Sequence, residues 1–345
     1  MMRWAALLIV SAAVTAAMNF FDIPAALLLG PLLTGIAAAL AGVEMRIKPA
    51  VAIGSQGMIG CMVAAMITAK VGQVLAAHGL ALVLIAILSL ATSLTLGWAS
   101  SRSGAMPGTS AIWAFSPGAA PVMVTMALEA GDDARIVAFM QYLRILLVAL
   151  IAISSTHFLA GDIAAPPARH WLDLPEAWGI FEAITVAGVG AWIGYKSHFP
   201  GGAFLVPALG GGLLQATGVI SLELPLPLLA LSYAAIGWQI GLSFTLQAIR
   251  HCARILPVAL AGLLILIAAA AGFALAASWL LEIDRISTFL ATCPGGLDTV
   301  LIISASVRAD MDFVLTAQLA RFFVTIVVAP PVAKLIADRI AVQGD

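Results

Sequence analysis

One stretch of this chain occurs twice. Residues 114–144 read AFSPGAAPVMVTMALEAGDDARIVAFMQYLR, and residues 291–321 read ATCPGGLDTVLIISASVRADMDFVLTAQLAR. Superposed without a gap at an offset of 177 positions, Pro117 falls on Pro294, Gly118 on Gly295, Asp133 on Asp310, Val137 on Val314, Gln141 on Gln318 and Arg144 on Arg321. Matched leucines or alanines would mean little in an apolar chain, but a matched Pro-Gly, Asp, Gln and Arg is hard to reach by chance. The chain therefore reads as two copies of one unit, each with a helix-breaking Pro-Gly and a helix carrying Gln-x-x-Arg. A second echo lies near the start of each half, where Pro24 matches Pro200, Pro31 matches Pro207 and Gly35 matches Gly211. A proline there frees a backbone carbonyl and bends or interrupts its helix. Small residues such as Gly210, Gly211 and Gly212 also let another backbone come close, so tight helix packing is the alternative to a substrate-lining role.

Composition decides which solvent such a unit folds in. Of 345 residues, 62% are hydrophobic and 10% charged, with a mean hydropathy of +1.09. No soluble domain buries so much apolar surface, so part of the solvent is lipid. Apolar segments run at about 4–20, 24–42, 50–69, 75–99 and 134–157, and again at about 178–196, 202–218, 227–248, 255–281 and 312–336. Mixed segments containing the Pro-Gly pairs lie at about 108–128 and 286–307, and residues 158–177 form the most polar connection. The expected fold is all-α and polytopic, with a first membrane repeat at 1–157, a connecting loop at 158–177 and a second repeat at 178–345. The apolar N-terminus is read as a retained first helix rather than a signal peptide, because 178–196 is its counterpart.

Loop charges bear on how the halves are oriented. If all six segments of each half cross the membrane, the halves point the same way, and Lys and Arg divide 8 inside against 6 outside. If the Pro-Gly segments enter and leave on one side, each half crosses five times and the halves are inverted. Arg3, Arg46, Lys48, Arg102, Arg135, Lys196, Arg250, Arg254, Lys334 and Arg339 then lie inside, and Lys70, Arg169, Arg285 and Arg308 outside, 10 against 4. Cytoplasmic loops favour Lys and Arg, so the inverted arrangement is the expectation.

Gln141 and Arg144 are three residues apart, as are Gln318 and Arg321, which places each pair on one helix face. Arginine within a membrane segment is costly and faces a partner or a watery cavity. Each is read either as part of a substrate or ion site, or as a structural residue that snorkels to the headgroups or is clamped by Asp133 or Asp310. The breaks at Ser116-Pro117-Gly118 and Cys293-Pro294-Gly295-Gly296 expose unpaired backbone groups of the sort that hold ions and polar substrates in transporters. Asp298, four residues past Pro294, has Pro121 as its counterpart and is a candidate proton or cation site. Glu129, Asp132 and Asp133 read as a solvated connection.

Other chemistry finds little footing. The five histidines are dispersed and lack metal-site spacing, and neither a P-loop nor a G-x-S-x-G appears. Neither a catalytic nor a metal-binding residue is expected, and no cofactor. A net charge of −1 from 16 basic and 17 acidic residues leaves no basic face for direct nucleic-acid binding. The isolated Cys61, Cys252 and Cys293 suggest no disulfide framework.

The Gly30-Pro31 segment, the two Pro-Gly breaks, the Asp that follows each and the paired Gln-x-x-Arg resemble the membrane AbrB family, whose members carry a duplicated domain. The likeness covers nearly the whole chain, although Ala119 stands where the second half has Gly296. Members are labelled transcriptional regulator or ammonia monooxygenase. The residues point to a multi-pass membrane protein, and the resemblance implies the bacterial inner membrane. A secondary transporter of a small molecule or ion is the first reading. A membrane regulator acting indirectly on gene expression and a monooxygenase-like protein are the alternatives, and a homo-oligomer remains open.

Overall fold

A computed structural model of the chain describes residues 2–21, 23, 25–104, 106, 109–118, 120–160, 176–199, 201–295, 300, 304 and 309–343. Those residues form helices and no strand. In the first half α1 is Met2–Phe20, α2 Ala26–Leu40, α3 Pro49–Ala65, α4 Ala69–Arg102, α5 Ser110–Phe115, α6 Ala120–Glu129 and α7 Ala134–Ala160. In the second, α8 is Ala177–Lys196, α9 Gly202–Ala216, α10 Leu226–Gly241, α11 Leu246–Leu281, α12 Arg285–Thr292 and α13 Met311–Gln343. Among the described residues, five stretches are long and apolar enough to cross a membrane: Arg3–Phe20, Ala69–Arg102, Ala177–Lys196, Leu246–Leu281 and Met311–Ala333. Large apolar side chains point outward from them, with Leu80 78% and Trp279 84% exposed. Such faces are stable only against lipid.

The chain folds into two compact units, and these are not the sequential halves. One comprises Met1–Ala69 with Ala168–Ile249, the other Lys70–Pro167 with Arg250–Asp345. Each unit draws on both halves of the sequence.

The first unit is held by crossings of glycine against backbone. Helix α2 lies against α10, and α3 against α9; α1 packs on α2 and α8 on α9. A Cβ at Gly237 would come within 2.8 Å of the Leu28 carbonyl oxygen and 3.1 Å of Pro31 Cβ. A Cβ at Gly60 would come within 2.5 Å of the Phe204 carbonyl oxygen and 2.9 Å of Pro207 Cγ. These two contacts are the same contact made twice, once with each half supplying the glycine. Pro31 and Pro207 thus serve close packing, and α2 and α9 run through them without interruption. Gly211 and Gly212 meet side chains of neighbouring helices rather than backbone, while Gly210 faces open space. One chain of buried polar groups links α1, α2 and α10. Trp238 Nε1 donates to Ser11 Oγ at 2.9 Å, Ser11 and Thr34 share a hydrogen bond of 2.6 Å, and Thr34 donates to the Gly30 carbonyl at 3.0 Å.

Overpacking a close crossing costs about 1–3 kcal/mol. Gly60→Val and Gly237→Val are therefore expected to lower the melting temperature of the detergent-solubilised protein, each by a similar amount. Gly210→Ala is expected to leave it unchanged or slightly raised. Tryptophan-fluorescence melting of the three variants checks this.

Candidate functional site

The second unit holds both Pro-Gly segments and both Gln-x-x-Arg helices. Helix α5 ends at Phe115, Ser116 leaves the helix at φ −58 and ψ 128, and α6 begins at Ala120. In the second half α12 ends at Thr292, and Cys293 leaves it at φ −58 and ψ 129. Proline at the next position removes a donor and disfavours helix at the residue before it, which accounts for both exits.

The start and the end of the first Pro-Gly segment meet. Thr109 Oγ1 donates to Asp132 Oδ1 at 2.6 Å, and Ser110 Oγ accepts from the Asp133 N–H at 3.0 Å. Trp113 Nε1 donates to Asp132 Oδ2 at 2.8 Å. In the second half Ser287 Oγ accepts from the Asp310 N–H at 2.6 Å. Each segment therefore goes in and comes back to where it began. Asp132, expected in a solvated connection, is instead half-buried and takes three side-chain donors, because the returning segment brings Thr109, Ser110 and Trp113 to it.

The tips of these hairpins are held from the side by α7 and α13. Gln141 Nε2 donates to the carbonyls of Trp113 at 2.9 Å and Ser116 at 3.1 Å. Arg144 Nη1 donates to the Ser116 carbonyl at 2.9 Å and the Phe115 carbonyl at 3.5 Å. Its Nη2 reaches the Gly118 carbonyl at 3.4 Å and Oε1 of Gln141. The second half repeats the arrangement at the 177-residue offset. Gln318 Nε2 donates to Leu290 at 2.7 Å and Cys293 at 3.3 Å. Arg321 Nη1 donates to Thr292 at 3.0 Å and Cys293 at 2.7 Å, and its Nη2 to Gln318 Oε1. A helix C-terminus leaves its last carbonyls without intrahelical donors. The guanidinium and the amide supply those donors where water is excluded. Glutamine is needed three residues before arginine because its oxygen fixes the guanidinium while its nitrogen caps the same carbonyl.

The two hairpin tips are neighbours. A Cβ at Gly295 would come within 3.0 Å of Val148 Cγ1, one turn beyond Arg144 on α7, and Cys293 packs with Val148 and Ile267. Ser116, Pro117, Gly118, Gln141 and Arg144 thus come together at the first tip, and Cys293, Gln318 and Arg321 at the second, with Pro294 and Gly295 continuing the chain there. Gly296 and Asp298 lie outside the described residues.

Neither arginine is paired with the acid eleven residues before it. Asp133 accepts instead from Arg135 Nε at 2.8 Å and Nη2 at 2.9 Å. Burial pushes its carboxyl up, but the hydrogen bonds and charge of Arg135 outweigh that and hold it below the usual carboxylate range. Asp310 caps the Phe313 N–H at 3.0 Å. Among the described residues, Arg144 and Arg321 are the only charged side chains that are buried, and no carboxylate lies at ion-pair distance from either. Arg144 Nε and the Tyr142 hydroxyl are buried and find no partner. No group of three or more His, Cys, Asp or Glu suited to a metal ion occurs among the described residues.

The profile described as "Transition state regulatory protein AbrB" matches residues 27–337, which takes in both hairpins and both clamps. The chain belongs to the AbrB family. It is 36% identical over 337 residues, 97% of each chain, to "Putative regulator AbrB" of Escherichia coli (strain K12). It is 25% identical over 298 residues, 81% of this chain and 77% of the relative, to "Uncharacterized protein YhjN" of Bacillus subtilis (strain 168). With five helices long and apolar enough to span, this AbrB-family chain is a helical membrane protein.

Sequence reasoning missed the acceptors of the clamp, because they are main-chain carbonyls and any residue supplies one. It also missed Ser110 and Ser287, which the 177-residue offset itself marks as a matched pair. Arg144→Gln removes the side-chain donors to the Phe115 and Gly118 carbonyls and Arg321→Gln the donor to the Thr292 carbonyl, and each buried acceptor left unsatisfied costs about 1–3 kcal/mol. Each variant is expected to melt earlier than wild type in detergent, with Arg→Lys recovering only part of the loss because an ammonium cannot form the fork. Unchanged melting in both glutamine variants would show that the clamps carry no stability.

Proposed function

We propose that the chain is a secondary transporter or permease for a small molecule in the bacterial inner membrane, built from two inverted repeats. The observation that carries this is the pair of returning Pro-Gly segments. Non-helical backbone at membrane depth is stable only where protein buries it or where it lines a cavity, and transporters place binding sites at such breaks. A segment that returns adds no net crossing. Helices α1, α2, α3, α4 and α7 then give the first half an odd number of crossings, which inverts the second. This agrees with the 10-to-4 division of loop charges. No catalytic role is assigned to any residue, and the substrate is read as a small molecule or ion rather than a nucleic acid.

The name of the Escherichia coli relative supports a second reading, a membrane regulator that binds a ligand without moving it. In that case an effect on gene expression passes through a partner or through the concentration of an inducer.

Two measurements test these statements. Gln73 and Gln247 are exposed and lie near the starts of α4 and α11, which occupy corresponding places in the two halves. In a background lacking the native cysteines, Gln73→Cys is expected to react with an impermeant maleimide in intact cells, and Gln247→Cys only after permeabilisation. Reaction of both from the same face contradicts inversion. For transport, proteoliposomes are incubated with a mixture of small metabolites and their lumen is read by mass spectrometry. Accumulation of a compound above protein-free liposomes is expected. Binding without accumulation in the lumen assigns the protein to the regulator reading.

A further inference from the structure

The first hairpin tip carries a charge that nothing among its described neighbours balances. Arg144 is fully buried, and arginine keeps its proton at any physiological pH. The groups it touches are the carbonyls of Phe115, Ser116 and Gly118 and the amide of Gln141, all of them dipoles without net charge. They satisfy its hydrogens but leave a full positive charge in a low-dielectric interior, where an unpaired ion is penalised by several kcal/mol. The nearby carboxylates are engaged elsewhere, Asp133 with Arg135 and Asp132 with Thr109 and Trp113.

Two further features act in the same direction. Helix α6 starts at Ala120, just past the break, and the N–H groups of Ala120 and Val122 in its first turn have no intrahelical acceptor. Carbonyls at the other side of the break are already taken by Gln141 and Arg144, so the donors of α6 are what the break offers a ligand. The Nε–H of Arg144, buried in the same guanidinium that reaches Gly118, is also without a partner. The break thus presents donors and lies beside a positive charge, while its carbonyls are used up.

We propose that the tip between α5 and α6 binds a small oxyanion, a carboxylate or a phosphate group, which supplies the missing counter-charge to Arg144. This deepens the transporter reading and rests on it for its biological meaning, but the binding step stands without it. In sequence, the second half has a carboxylate four residues past its Pro-Gly proline. Asp298 stands there where the first half has Pro121, although Asp298 itself lies outside the described residues. Pro121 is the second residue of α6 and is buried, so Pro121→Asp places a carboxylate of the protein's own within the first turn, where the helix dipole favours it.

The experiment is calorimetric titration of the full chain in maltoside micelles and low-chloride buffer. Acetate, succinate and inorganic phosphate are the probes, with ammonium and glycerol as controls. At least one oxyanion is expected to bind saturably, the controls are not, and the three probes separate carboxylate from phosphate recognition. Pro121→Asp is expected to weaken that binding at least tenfold while melting no earlier than wild type. Failure of every oxyanion to bind, saturable binding of ammonium or glycerol instead, or unchanged oxyanion affinity in a folded Pro121→Asp protein would each overturn the proposal. Should Pro121→Asp melt early, the wild-type titrations decide alone: saturable binding of an oxyanion, and of neither ammonium nor glycerol, supports the site, and its absence overturns it. Uptake of the binding probe into proteoliposomes is measured separately. Binding without uptake leaves the oxyanion site standing and removes the transporter reading. Uptake of a cation or neutral compound with no oxyanion binding does the reverse.

Discussion

A buried guanidinium that hydrogen-bonds main-chain carbonyls, rather than a carboxylate, is the interaction on which the second unit depends. A helix cannot stop inside a membrane unless something takes over its last carbonyls. Arg144 and Arg321 do so, and each is steadied by a glutamine three residues earlier on the same helix face. The alternative partner, water, would need an open path from the surface. The cost of burying two cations is thereby linked to the existence of two broken segments, and neither feature is stable without the other.

The first unit solves a different problem. Ser11, Thr34 and Trp238 bond one another within it, and its close crossings rest on glycine facing backbone at Gly60 and Gly237. Nothing among its described residues breaks a helix to expose backbone at depth. The prolines of α2 and α9 are absorbed into continuous helices. Chemistry and structural framing are thus divided between the units, while each unit takes helices from both halves of the sequence.

The all-helical class, the two breaks and the Gln-x-x-Arg pairs were legible in the sequence because polar and helix-breaking residues stand out against an apolar background. Pro117 and Pro294 break their helices as proline-glycine pairs should. Pro31 and Pro207 do not, and sequence could not separate the two cases. The difference is made by what faces the proline, and for Pro31 and Pro207 that is a glycine far along the chain. The return of each Pro-Gly segment was reachable only through the loop-charge bias. Its direct sign, a hydroxyl at Thr109 or Ser110 bonded to residues after α6, is a contact between ordinary surface-type residues that no local pattern announces. The compact units were hidden for a related reason: which helices pack together depends on contacts between halves, and repeat boundaries say nothing of these.

The central claim is that the Pro-Gly segments go in and return, clamped at their tips. Disulfide trapping between the two ends of the first segment tests it most directly. Thr109 Oγ1 and Asp132 Oδ1 are 2.6 Å apart, so cysteines at the two positions face each other. In Thr109→Cys/Asp132→Cys protein lacking its native cysteines, mild oxidation in membranes should yield the intramolecular disulfide, detected as a linked peptide by mass spectrometry. If the segment crossed instead, the two positions would sit on opposite faces about 30 Å apart. Both thiols would then remain free and alkylatable, from opposite sides, and the account would be wrong.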